Sequence, residues 1–146
     1  MPHELDGRDC WCGRTGCLDC FLSLCGLETE YHDITQTRLG IKAIAAAADA
    51  SDLVASSVLQ VLGDRIGRTT AMIINMFDPD VIVLGGRLAG LDRLYQNVPR
   101  KWPAYLLVER SETKLQKGKQ DAFTLAKGAA CLAIDAATSP SPHQRP

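Results

Sequence analysis

A chain of 146 residues with 46% apolar and 23% charged residues is long enough for one domain, and a fold of this size buries roughly 68–70% of its unfolded surface. Sixteen basic residues against seventeen acidic ones leave a formal charge of −1 with no block of either sign, which argues against a nucleic-acid partner. Charges interrupt each apolar run before the ~18 residues that a spanning helix needs, and residues 1–15 hold no apolar signal-peptide centre, so the expected setting is cytoplasmic and away from membranes.

Residues 1–16 have no helical or strand periodicity and read as a loop held by chemistry. In Cys10-Trp11-Cys12-Gly13-Arg14-Thr15-Gly16-Cys17, three thiols fall within eight residues, and the glycines let the backbone fold back so that the sulfurs converge on one tetrahedral ion. Six cysteines without a secretory signal favour thiols or metal ligation over disulfides. A short helix is expected from Cys17 through Leu18, Phe21 and Leu22, stopped by Gly26, and Glu28 to Thr37 is polar and irregular. Leu39 to Ala50 is alanine-rich and suits a helix packed closely on a neighbour.

From Ser51, a capping residue, Val54, Val58, Val61, Leu62, Ile66, Thr69, Ile73 and Met76 recur at three and four residues and predict a long helix. Pro79 pushes Asp78 out of helical geometry, so this helix ends near Phe77. Val81-Ile82-Val83-Leu84 reads as a strand buried on both faces in a parallel or central position. Gly85-Gly86 then turn the chain into a helix over Leu88 to Val98, ahead of Pro99 and Pro103. A strand, glycine turn and helix N-terminus can receive phosphate or nucleotide, and can equally be a tight turn alone. Leu106-Leu107-Val108 is a second expected strand, and Lys114 to Gln120 an exposed loop. Leu125, Ala129, Leu132, Ala133 and Ala136 predict a last helix, with Cys131 as a small core residue and Gly128 marking close approach of a backbone or ligand. Thr138 to Pro146 is expected to be a disordered tail, leaving residues 1–137 as the folded unit.

Three segments in this order resemble the C-terminal half of a ROK-family sugar kinase (repressor, open reading frame, kinase), and among these the bacterial fructokinases. Cys10 to Asp19 is similar to the zinc-loop signature C-x-C-G-x-x-G-C-x-E, and Asn75 to Gly86 to the strand and glycine turn beside the adenine nucleotide. Leu94 to Trp102, with Lys127-Gly128-Ala129-Ala130, follows the fructokinase pattern. The resemblance implies an α/β fold, the C-terminal lobe of an actin-like ATPase (ribonuclease H-like) fold with a zinc loop at 10–17. It implies zinc as a structural ion, ATP and magnesium for the complete kinase, and adenine nucleotide and hexose as ligands. Gly85, Gly86, Arg87 and Gly128 then belong to the nucleotide side and Asp19 to the sugar side.

The resemblance also implies that the phosphate-binding Asp-x-Gly-Gly-Thr hairpin, the catalytic aspartate and the Glu-x-Gly-His sugar motif lie before residue 1, so this chain holds no catalytic residue. The expected activity is phosphoryl transfer from ATP to a sugar hydroxyl, absent in the chain alone, with a homodimer or a separate N-terminal lobe as partner. Alternatives are a non-catalytic zinc-stabilised binding or dimerisation module and a remnant of a ROK repressor. Asp19 stands one methylene short of the family's glutamate, Leu24-Cys25 replaces a Gly-Pro pair, and Arg87 replaces a third glycine. The family's zinc-binding histidine lacks a counterpart unless His3 serves. Cys20, three residues after Cys17, can join Cys10, Cys12 and Cys17 in a four-thiolate site, or be an ordinary buried thiol.

Overall fold

Two short polar side chains set where the first half of the chain becomes helical. The Ser23 hydroxyl accepts the Gly26 backbone N–H at 3.1 Å and starts α1 (Leu24–Thr35). The carboxylate of Asp52, rather than the expected Ser51, accepts the Ala55 N–H at 2.8 Å and starts α3 (Leu53–Phe77). Between them, α2 (Ile41–Asp49) receives a cap from another element, since Glu28 Oε1 of α1 accepts the Ile41 N–H at 3.2 Å. The helix α3 ends at Phe77 as expected, with Asp78 at φ +41° before Pro79. In the computed structural model, which describes residues 6–119 and 124–138, these three helices carry most of the core.

Two expectations fail together at α1. Gly26 does not stop a helix but lies in the first turn of one, and the stretch from Glu28 to Thr35, expected to be irregular, is helical. Only a 3₁₀ turn, Leu18–Cys20, forms where the short helix was expected. The cause lies in Ser23 and in the burial of Leu27 and Tyr31 one turn apart, which gives α1 an inner face despite its polar composition. This face meets Ile41 and Ile44 of α2 and Ala55, Val58, Leu59, Leu62 and Ile66 of α3 in one buried cluster. A fully buried leucine such as Leu62 contributes roughly 1.5–3 kcal/mol.

The predicted stripe of α3 holds through Ile66 and then leaves the core: Ile73 and Met76 are exposed, and Thr70, Ala71 and Ile74 are buried instead. The buried side shifts there because the second half of α3 packs against the Trp102 segment, whose indole N–H donates to the Thr70 hydroxyl at 2.8 Å.

The strand β1 (Val81–Leu84) forms as expected and pairs in parallel with β2 (Lys114–Lys117), Val81 opposite Lys114 and Leu84 opposite Lys117. It is not buried on both faces: Val81 and Val83 are exposed, Val83 to 59%, while Ile82 and Leu84 are half-buried. Among the described residues the sheet has these two strands alone, so only one face of β1 is covered. The expected strand at Leu106 to Val108 does not form, because the Asn75 side chain occupies its backbone: Nδ2 donates to the Tyr105 carbonyl at 2.9 Å, and Oδ1 accepts the Leu107 N–H at 3.0 Å. Pairing instead falls to Lys114–Lys117, expected to be a loop, where the Thr113 hydroxyl donates to the Pro79 carbonyl at 2.7 Å and fixes the start of the ladder.

The expected helix over Leu88 to Val98 is broken into a 3₁₀ turn at Arg87–Gly90, α4 (Arg93–Asn97) and a 3₁₀ segment Pro99–Ala104. Leu94, Val98 and Trp102 carry this segment into the core. The last helix, α5 (Thr124–Thr138), is present and its described side chains from Ala126 onward are exposed. Cys131 is therefore exposed rather than a core residue, and nothing lies within 4 Å of a Cβ built on Gly128. His3 and the stretch from 139 to 146 lie outside the described residues. Among those described, no single helix is long and apolar enough to cross a membrane.

Candidate functional site

The loop before α1 folds back on itself through its own backbone. Cys10 N–H donates to the Arg14 carbonyl at 2.7 Å, Gly13 N–H to the Cys10 carbonyl at 2.9 Å and Gly16 N–H to the Arg8 carbonyl at 2.8 Å. Gly13 at φ +80° and Gly16 at φ +65° take the left-handed turns that this path requires. Arg8 ties the loop to α1, donating to the Gly26 carbonyl at 3.2 Å and pairing with Asp33 at 3.1 Å.

This folding brings the sulfurs of Cys10, Cys12 and Cys17 within 4.8 Å of one another, with Cys12 and Cys17 at 3.6 Å. Zinc–sulfur bonds of ~2.3 Å put tetrahedral thiolates about 3.8 Å apart, so the three residues fit one ion with modest closure. Cys10 and Cys17 are buried and Cys12 is exposed. A backbone hydrogen bond at Arg14 holds the Cys12 thiol below its ordinary pKa, assisted by the Cys10 and Cys17 thiols. Burial pushes Cys17 up, as do the neighbouring Cys12 and Cys10 thiols. In the metal-free chain, iodoacetamide is therefore expected to label Cys12 ahead of Cys17, read by peptide mapping. Faster labelling of Cys17 contradicts this arrangement.

Cys20 stands beside the group and outside it. Its thiol donates to the Asp9 carbonyl at 3.7 Å, and burial raises its pKa, with the neighbouring Cys10 thiol acting in the same direction. Asp19 is exposed and accepts the Trp11 indole N–H at 3.3 Å, and both border a cavity of about 250 Å³ shared with Cys10 and Cys20. Trp11 is 89% exposed, an aromatic face with no packing partner among the described residues to account for it.

On the other side of the fold, Gly85 and Gly86 follow β1 and lead to Arg87. Arg87, Gly90 and Leu91 face Ile41, Ala45 and Ala46 of α2 across a cavity of about 400 Å³ that Lys42 and Asp49 also line. Small apolar walls with two cations at hand suit a flat heterocycle bearing phosphates. An ion pair between Arg93 and Asp49 joins α4 to the end of α2. Gly128 is not among the residues lining this cavity; it sits on the open α5. Sequence reasoning found the glycine turn but missed the α2 wall, because an alanine run signals close packing and carries no trace of which partner it leaves uncovered.

Comparison with known proteins places these features in a family. The chain is 35% identical over 124 residues to the N-acetyl-D-glucosamine kinase of Pasteurella multocida, an alignment covering 85% of this chain and 41% of that protein. Further relatives at 28–34% identity carry the same description, so it is to N-acetylglucosamine kinases rather than fructokinases that these alignments point. The fold matches a ROK glucokinase from Streptomyces griseus solved with glucose and AMPPNP, with a TM-score of 0.75 at 22% identity over 90% of this chain and 49% of that one. It also matches a ROK transcriptional regulator, a homologue of the E. coli MLC protein, with a TM-score of 0.70 at 26% identity over 80% and 33%. The chain thus spans about two fifths of the length of the curated relatives it matches. The ROK family model itself matches residues 1–136, and the chain belongs to the ROK family.

Proposed function

We propose that this chain is the C-terminal portion of an ATP-dependent ROK sugar kinase and supplies two walls of its active cleft without the reacting groups. The observation that carries this reading is the cavity between α2 and the turn after β1. There Arg87 and Lys42 stand over an apolar floor of Ile41, Ala45 and Ala46, which suits an adenine nucleotide. Gly85 and Gly86 precede Arg87 in the turn that enters this cavity, and with Gly128 they are assigned to the nucleotide side by the family resemblance. Asp19 and Trp11 belong to the sugar wall, with the carboxylate accepting a sugar hydroxyl and the indole offering an apolar face.

Phosphoryl transfer needs a base for the sugar hydroxyl, a magnesium ion and donors around the transferring group. The family resemblance assigns those parts to a segment outside the two walls, whether in the same polypeptide or a second one. Zinc in the three-thiol loop would serve as a structural ion, and the residues holding it would be those that set the position of Asp19. The acceptor is a hexose, with N-acetylglucosamine, glucose and fructose the sugars to offer. A second reading, a nucleotide-free binding or dimerisation module, is favoured by the likeness to the MLC-type regulator and by the open apolar residues of β1 and α5.

Two measurements separate them. A fluorescent trinitrophenyl-ATP is expected to bind the purified chain saturably, to be displaced by ATP, and to bind more weakly when Ala46→Trp fills the cavity. No binding would favour the module. With the chain alone, ATP-dependent phosphorylation of the three sugars is expected to stay at background, and turnover above it would refute the assignment of the base to another segment.

A further inference from the structure

A cleft of about 290 Å³ lies where α3 meets α4 and the segment after it, and it shares no lining residue with the cavity beside Arg87. Arg93, Arg100 and Lys101 bring three cations to it. Arg93 pairs with Asp49, and Lys101 Nζ with Asp64 at 3.4 Å, but neither carboxylate lines the cleft, and Arg100 makes no ion pair among the described residues. Three positive charges inside against two negative ones held outside make it a place for an anion. Ser56 and Gln60 on α3 and Asn97 on α4 add uncharged donors, and the side-chain amides of Gln60 and Asn97 make no hydrogen bond among the described residues.

Gly63 keeps the space open. It lies in the middle of α3, where glycine weakens a helix relative to alanine. Gly67, one turn on, has a packing reason, since a Cβ there would stand 2.7 Å from the Cβ of Lys101. A Cβ on Gly63 would meet nothing within 4 Å, so no neighbour requires a glycine at that wall of the cleft. Guanidinium and ammonium groups suit the oxygens of a phosphoryl group, and the amides and hydroxyl suit the hydroxyls of a sugar. The volume is at the small end of the roughly 300–1,000 Å³ of ligand sites, the size of one sugar with one phosphate.

We propose that this cleft is a second ligand site, which takes a hexose phosphate and, through the Arg93–Asp49 pair, opposes nucleotide binding in the cavity beside Arg87. Arg93 lines the cleft and Asp49 lines the cavity. An anion that draws on Arg93 leaves the Asp49 carboxylate less neutralised where nucleotide phosphates would sit, and the linkage is reciprocal. The coupling rests on the nucleotide reading given above, in which a hexose phosphate is the product; the anion cleft does not.

Calorimetric titration of the purified chain with glucose-6-phosphate is expected to show saturable binding, with inorganic phosphate weaker by about 10-fold and glucose not binding. Arg100→Gln, which removes one charged donor, should weaken binding by about 10-fold or more. Gly63→Leu, which fills the cleft while restoring helix propensity, should abolish it with the circular dichroism unchanged. Saturating glucose-6-phosphate should weaken trinitrophenyl-ATP binding by about 2–5-fold, the scale of one exposed ion pair, and Arg100→Gln and Asp49→Asn should each remove this shift. No binding of glucose-6-phosphate, or binding unaltered in Arg100→Gln and Gly63→Leu, overturns the cleft as a site. Equal affinity for inorganic phosphate overturns the sugar. A shift that persists in Arg100→Gln shows competition inside the nucleotide cavity and overturns the coupling, as does no shift in the parent. A chain that binds glucose-6-phosphate but no nucleotide overturns the nucleotide reading and the coupling, and leaves the cleft standing.

Discussion

Trp102→Ala is expected to lower the unfolding free energy by about 3–5 kcal/mol, the range for emptying a large aromatic from a core. Trp102 is 5% exposed and stands with Val98 and Leu94 in the helical cluster, where it anchors the irregular segment after α4. Its indole N–H donates at 2.8 Å to the Thr70 hydroxyl, which in turn donates to the Ile66 carbonyl at 2.7 Å, so both polar groups of the buried pair are satisfied. Trp102→Phe separates the two contributions. It keeps most of the volume and removes one donor, and because Thr70 retains its bond to Ile66 the cost should be nearer 1 kcal/mol. Urea unfolding followed by far-ultraviolet circular dichroism measures both. Equal losses in the two variants would show that the hydrogen bond, and not the volume, holds the segment. No loss in either would place residues 99–104 outside the cooperative unit.

The second large effect is expected at Gly26, where two terms of opposite sign compete. In an ordinary helix, alanine in place of glycine stabilises by about 1 kcal/mol. Here the new Cβ would meet the Cys20 carbonyl oxygen at 2.4 Å and its carbon at 2.8 Å, both backbone atoms that no rotamer change can move aside. Overpacking of this kind costs about 1–3 kcal/mol and more where the backbone must shift, so the clash wins and Gly26→Ala should destabilise the chain. The displaced element is the turn that carries Cys20 and follows Cys17. Zinc affinity of the three-thiol group should therefore fall in a variant that removes no thiol, read by competition with a chromophoric chelator. A more stable Gly26→Ala chain with unaltered zinc binding would mean that α1 and the metal loop are not held together at this contact.

The parts of the fold that could be read from the chain are those whose cause is local. The end of α3 follows from Pro79 acting on its neighbour Asp78, and the thiol loop follows from cysteines and glycines close in sequence. The parts that could not be read have their cause elsewhere in the molecule. Lys-Leu-Gln-Lys at 114–117 has no apolar alternation, and becomes β2 because Pro79 and β1 offer it a partner. Leu106-Leu107-Val108 has the composition of a strand but loses its backbone groups to the side chain of Asn75, thirty positions or so away. Gly26 looks like a helix stop until Ser23 is known to cap around it and Cys20 to lie against it. At the candidate site the same division holds. The three-thiol group and the glycine turn were legible as motifs, whereas the α2 wall of the cavity beside Arg87 arises only from packing α2 beside the turn at 87–91. The reading of Cys131 as a core thiol failed because an apolar helix was assumed to have something to pack on, and the described part of α5 lies open.

That openness has a consequence for how cohesion is distributed. The buried cluster joins α1, α2, α3 and the Trp102 segment, while β1 and β2 meet it through half-buried Ile82 and Leu115, and the described side chains of α5 from Ala126 onward are exposed. The chain is thus graded from a tightly knit helical half to a loosely anchored α/β half, and the loose half carries the glycine turn after β1. In a protein built this way, local excursions of the sheet cost less than opening the helical core.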